Sequence, residues 1–220
     1  LLKPHIHENC IITDVGSVKG NIHRAARDLG LENQFIGGHP MAGSEKTGYA
    51  NSSEALLENS YYLLTPTPQT PDTKLQLLLS LLKCTGSKCV IVAPEKHDDI
   101  TAAISHVPHI IAATLVNMIK ENDTPDGFMK AFAAGGFKDI TRIASSSPEM
   151  WENICLSNKD SIDHFLELYI KNLEDFRNLL REEKNEDLRN TFLDARTYRD
   201  SIPDNLSDKF TNNFADKKPV

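Results

Sequence analysis

A histidine at position 39 stands in the run Gly37-Gly38-His39-Pro40-Met41-Ala42-Gly43-Ser44-Glu45-Lys46, directly after the apolar pair Phe35-Ile36. Imidazole ordinarily titrates near neutral pH, so it can take a proton from a hydroxyl group and return it. Glycine and proline on either side suit a loop that presents the ring from the end of a strand. They equally suit a tight turn in which the histidine has no chemical role. Ser17, in Asp14-Val15-Gly16-Ser17-Val18-Lys19-Gly20, stands where another strand hands over to a helix. It either shares a crevice with His39 or serves only as a helix cap.

Two further groups of residues have chemistry within reach. Ser105-His106-Val107-Pro108-His109, with His97 upstream, places two histidines three apart on one helix face. A third metal ligand is missing, because Asp98-Asp99 falls on another side by helical phase, so no metal is expected. His109 either projects towards the crevice or packs between helices. In Gly135-Gly136-Phe137-Lys138-Asp139-Ile140-Thr141-Arg142, Lys138 and Arg142 lie four apart on one face beside Asp139. That suits bidentate capture of a carboxylate by the arginine, or else a solvated charged face.

These residues need elements to hold them. Asn9 to Thr13, Phe35-Ile36, Tyr61 to Thr65 and Cys89 to Val92 read as strands, with helices over Val18 to Leu29 and Asp72 to Leu82. Strands alternating with helices predict a mostly parallel sheet with ligands at its carboxyl edge. From Pro94 the periodicity is helical: Glu95 to Lys120 with a kink or break at Pro108, a start capped at Ser145 to Glu149, then Ser161 to Arg181 and Asn185 to Arg199. Leu166, Tyr169, Ile170, Leu173 and Phe176 form an apolar stripe suited to its own domain or to a second subunit. The expected organisation is α/β followed by all-α, divided at 1–93, 94–202 and a polar tail at 203–220.

Composition bounds the partners. The chain has 220 residues, 40% hydrophobic and 25% charged, with a formal net charge of -7 and no basic stripe, so nucleic acid is not expected. Apolar runs such as Ile110 to Leu115 fall short of the roughly 20 residues of a membrane span, and the start lacks a signal peptide's layout. A cytoplasmic protein with four reduced cysteines follows as the expectation.

Taken in register, the segments around Ser17, His39, Leu64-Thr65-Pro66-Thr67, Ser105 to His109, Gly135 to Ala144 and Pro148-Glu149-Met150-Trp151 resemble those of prephenate dehydrogenases. The resemblance implies an incomplete Rossmann-like sheet plus a helical dimerisation domain. It implies oxidative decarboxylation of prephenate to 4-hydroxyphenylpyruvate with NAD or NADP in tyrosine biosynthesis. By resemblance His39 is the catalytic histidine, and Ser17 orients it against substrate and nicotinamide. Arg142 and His109 bind substrate, with Ser44 beside them and Glu45, Lys138 and Asp139 forming an ionic group near the entrance. Thr65 and Pro66 lie on the cofactor side. A homodimer, and tyrosine as an inhibitor, are implied in the same way.

One departure stands out: the 220 residues contain no Gly-x-Gly-x-x-Gly turn to carry a pyrophosphate on a helix N-terminus. The expectation is a fragment that lacks at least one βαβ unit, binds dinucleotide weakly and is nearly inactive by itself. The alternatives are an arogenate dehydrogenase and a non-catalytic fragment that binds an aromatic acid.

Overall fold

The computed structural model describes residues 3–43 and 48–203, so Ser44, Glu45 and nearly all of the expected tail lie outside the described residues. The described residues open with strand β1 (Ile12–Thr13), helix α1 (Gly20–Asp28), strand β2 (Phe35–Pro40), strand β3 (Tyr61–Pro66), helix α2 (Asp72–Lys83) and strand β4 (Lys88–Ile91). Leucines at helical spacing in α2 (Leu75, Leu78, Leu79, Leu82) cover one sheet face through Ile36, Leu64, Tyr62, Cys89 and Ile91. Leu63, Val90 and Val92 cluster separately, with Met41 against them.

The sheet order is β1-β2-β3-β4. β1 pairs with β2 and β3 with β4 in parallel, as crossovers through α1 and α2 require, but β2 and β3 run antiparallel. The expected parallel sheet is therefore mixed. Between β2 and β3 the described chain forms only the short 3-10 turns Tyr49–Asn51 and Glu54–Leu57, so β3 returns beside β2 without a crossover helix. One consequence is that Pro66 pairs with Ile36 at the start of β2, while His39 pairs with Leu63.

β2 also runs further than the apolar pair suggests. It includes Gly37, Gly38 and His39, so the histidine belongs to the strand and not to a loop after it. The glycines serve close approach. A Cβ on Gly38 would lie 2.5 Å from the Asp14 carbonyl oxygen, and one on Gly37 would collide with Thr65 Oγ1.

The helical layer follows: α3 (Pro94–Thr101), a π-helical turn (Ala102–His106), α4 (Val107–Asn122), α5 (Phe128–Ala131), α6 (Gly135–Thr141), a 3-10 turn (Arg142–Ser145), α7 (Pro148–Ser157), α8 (Lys159–Arg181) and α9 (Asn185–Ser201). The break expected at Pro108 is the π turn immediately before it, where the proline ring cannot continue the regular ladder. Ser147 caps α7, its hydroxyl accepting the Met150 N–H at 3.3 Å, with Pro148 in the first turn. Ala102, Val107 and Ile162 knit the π turn, α4 and α8 together. The run Pro94–Asn122 reaches a mean hydropathy of 1.5 with only 22% of that window buried in one chain, long and apolar enough by length and composition to cross a membrane. Ile170 and Leu173 of the expected stripe are likewise about half exposed, at 53% and 51%.

Candidate active site

Asp98 organises the site. Its carboxylate accepts the backbone N–H of Lys19 at 2.7 Å and of Gly20 at 2.8 Å, capping α1 from a helix far along the chain. Asp14 and Ser17 read as the natural caps of this helix, yet neither side chain caps it. The same carboxylate accepts His97 Nδ1–H at 2.8 Å. Burial alone would push the Asp98 carboxyl up, but the bonds from His97 and the two backbone amides prevail and hold it below the usual carboxylate range.

That contact fixes two tautomers in series. With the His97 proton on Nδ1, its Nε2 is an acceptor, and His39 Nδ1 lies 2.9 Å away and donates to it. The free nitrogen of neutral His39 is then Nε2, unprotonated and available as a base. Burial first, then the neighbouring His97, Lys19 and His106, push the His39 imidazole down to about 3, so it is neutral at physiological pH.

His106 and His109 complete the imidazole cluster. Asn158 Nδ2 donates to His106 Nδ1 at 3.1 Å, which leaves the proton of neutral His106 on Nε2, and burial lowers this ring to about 4. His109 Nδ1–H donates to the Ser105 carbonyl at 2.9 Å while the ring stacks on Trp151, centroids 3.9 Å apart. Its Nε2 is therefore an acceptor, and burial lowers its pKa.

Ser17, His39, His106, His109, Arg142 and Trp151 line one crevice of about 350 Å³ between the sheet and the helical layer. The expected meeting of Ser17, His39, His109 and Arg142 is thus observed. Lys138 and Asp139 are exposed on α6 and do not line it. Thr65 is fully buried with its hydroxyl 2.8 Å from His23 Nε2, and neither it nor the half-buried Pro66 reaches the crevice, because β3 runs against β2. Beyond Ser17 the crevice adjoins a hollow of about 370 Å³ lined by Val15, Gly16, Met150 and Ile154. His97, Asp98, His106 and Asn158 escaped the sequence reading as site residues. Their only signal was the density of histidines around the π turn.

An α/β layer that presents a neutral imidazole near the end of β2, facing cationic and imidazole groups from a helical layer, defines a two-layer protein with its crevice between sheet and helices. Residues 1–91 match the model for prephenate dehydrogenase, nucleotide-binding domain, and residues 93–194 that for prephenate dehydrogenase, dimerization domain. The chain belongs to the prephenate dehydrogenase family. It is 45% identical over 199 residues to the prephenate dehydrogenase of Bacillus subtilis, a match covering 90% of this chain and 54% of the relative. Prephenate dehydrogenase from Aquifex aeolicus in complex with hydroxyphenyl propionate and NAD+ superposes with a TM-score of 0.85 at 35% identity, over 92% of this chain and 70% of that one. Synechocystis arogenate dehydrogenase gives 0.81 at 31%, over 90% and 72%. The chain spans about half the length of the curated relatives it matches.

Proposed function

We propose that this chain carries the substrate pocket and proton-accepting group of a cytoplasmic prephenate dehydrogenase, which converts prephenate to 4-hydroxyphenylpyruvate and carbon dioxide. The observation that carries this reading is the crevice that His39, from β2, and Arg142, from the helical layer, line together. A dicarboxylic ring with a hydroxyl opposite its ring carboxylate needs an acceptor for the hydroxyl proton and a cation for a carboxylate, and these two residues supply them.

The small, largely apolar hollow along Val15, Gly16 and Ser17 fits a nicotinamide ring with one hydroxyl beside it. Bound there, NAD or NADP would accept the hydride from the hydroxyl-bearing carbon. As that carbon becomes a carbonyl its hydroxyl turns strongly acidic, so even a weakly basic imidazole takes the proton on His39 Nε2. The positive charge then on His39 is met through His97 by the Asp98 carboxylate. Loss of the ring carboxylate sends its bonding pair into the ring, which becomes aromatic. Arg142 holds a carboxylate by charge-assisted hydrogen bonds, while neutral His106 and His109 offer one donor and one acceptor for the remaining oxygens. The exposed apolar residues of α8 and the thinly buried α4 support association of two copies through the helical layer.

The test is turnover. The 220-residue chain should be assayed alone and joined to the glycine-rich βαβ segment of a relative, with prephenate and with arogenate. The joined chain should reduce cofactor with prephenate, and arogenate reports the side-chain amino tolerance suggested by the Synechocystis likeness. A joined chain that folds, binds cofactor and turns over neither compound would refute the proposal.

A further inference from the structure

Beneath β2 lies a charge that the reaction above does not use. Lys19 is 0% exposed, which is rare for an ammonium and costly unless the group is paired. Its Nζ pairs with the Asp14 carboxylate and donates to the Gly38 carbonyl at 2.7 Å. Asp14 in turn accepts the Gly16 N–H at 2.8 Å and the Gly38 N–H at 3.0 Å. The pair therefore grips both peptide groups of Gly38, the residue before His39, and the loop that carries Ser17. The crowding at Gly37, where a Cβ would lie 3.1 Å from Lys19 Cδ, shows that the strand is built to admit this side chain.

We propose that Lys19 is a positioning residue for the reaction: its buried ammonium, locked between Asp14 and Gly38, holds the Ser17 loop and the His39 strand in register and sets a positive charge behind the His39 imidazole. The inference rests on His39 as the base. His39 is faced by His97 from α3, by His106 from the π turn, by Lys19 and Asp14 from the β1–α1 connection, and by His109 and Arg142 along the crevice. Of these groups, Lys19 is the cation behind the strand: burial pushes its ammonium pKa down, and the bond to Asp14 opposes that push.

The experiment follows the His39 imidazole by NMR titration in the 220-residue chain, which needs neither cofactor nor turnover. Lys19→Met should raise the His39 midpoint, while burial and His97 keep it below the free-imidazole value. Asp14→Asn, which leaves the ammonium, should not raise it, and Asp14→Asn with Lys19→Met should raise it by less than Lys19→Met alone. If the single Lys19 variant does not fold, the uncharged double variant carries the test. A midpoint unmoved or lowered in a folded variant lacking Lys19 overturns the proposal. In the unmodified chain the Lys19 Nζ protons should exchange far more slowly than those of an exposed lysine, and exchange at the free rate overturns it equally. In the joined enzyme Lys19→Met should lower kcat at least tenfold with KM for prephenate little changed. Loss of turnover in every chain, with the titration shifts intact, would instead count against the reaction assigned above.

Discussion

His39 Nδ1 lies 2.9 Å from His97 Nε2, and this contact decides which nitrogen of His39 faces the chemistry. The acceptor-only Asp98 carboxylate sets the His97 proton, His97 sets the His39 proton, and the lone pair on His39 Nε2 is the result. A carboxylate that does not line the crevice thereby leaves an unprotonated nitrogen on His39.

His39→Asn keeps a polar side chain but removes the proton acceptor. In the joined enzyme kcat should fall by about 10²- to 10⁴-fold, the usual contribution of a positioned base, while cofactor affinity stays within twofold. Steady-state kinetics beside a cofactor titration checks this, and unchanged turnover would remove His39 from the mechanism.

Asp98 Oδ1 accepts from both His97 Nδ1 and the Lys19 N–H, so Asp98→Asn with its amide nitrogen at that position loosens the α1 cap and donates to His97 Nδ1, which reverses both tautomers and turns His39 Nε2 from acceptor to donor. A tautomer error of this kind costs about 10⁴-fold in a Ser-His-Asp triad. A loss in kcat of about 10²- to 10⁴-fold is expected, with imidazole nitrogen shifts of His39 that report the exchanged proton. An unaltered nitrogen spectrum would show that the series does not set the tautomer.

Arg142→Gln should raise KM for prephenate by about 10- to 100-fold, the weight of hydrogen bonds to a charged partner, and leave kcat within a few-fold. Arg142→Lys should recover only part of the loss, because an ammonium cannot bind two carboxylate oxygens in one plane. Initial-rate measurements separate the two parameters.

Stability should fall with acid. His39 at about 3 and His106 at about 4 stay neutral in the folded chain well below 6.5, where the unfolded chain takes up protons. The unfolded state therefore binds more protons, and the stability present above 6.5 is lost as pH falls to about 4 for His106 and about 3 for His39. Each histidine contributes about 1.4 kcal/mol per pH unit. Thermal melts between pH 7 and 4 should show this slope, and His106→Asn should flatten it.

The 220-residue chain alone should show no micromolar binding of NAD or NADP, because no glycine-rich turn among its residues can cradle a pyrophosphate. Calorimetric titration decides it, and a micromolar dissociation constant would show that the hollow beside Ser17 suffices.

Local chemistry made much of this molecule legible in its sequence. The leucine period of α2, the Ser147 cap with Pro148 behind it, and the break at Pro108 depend on neighbours within a few residues, so these helix boundaries were readable to within a turn, whereas the short α5 was not. The motifs also marked Ser17, His39, His109 and Arg142, which the fold does bring to one crevice. Other features required long-range contact. The direction of β3 follows from the path between β2 and β3, which no residue pattern encodes, and it takes Thr65 away from the crevice. The cap of α1 is Asp98, 79 residues from the Lys19 amide it accepts, and that same side chain orients His97. Periodicity and capping are short-range and leave a trace in sequence, whereas the partner of a buried charge or the tautomer of an imidazole is set by whichever group folding brings within about 3 Å.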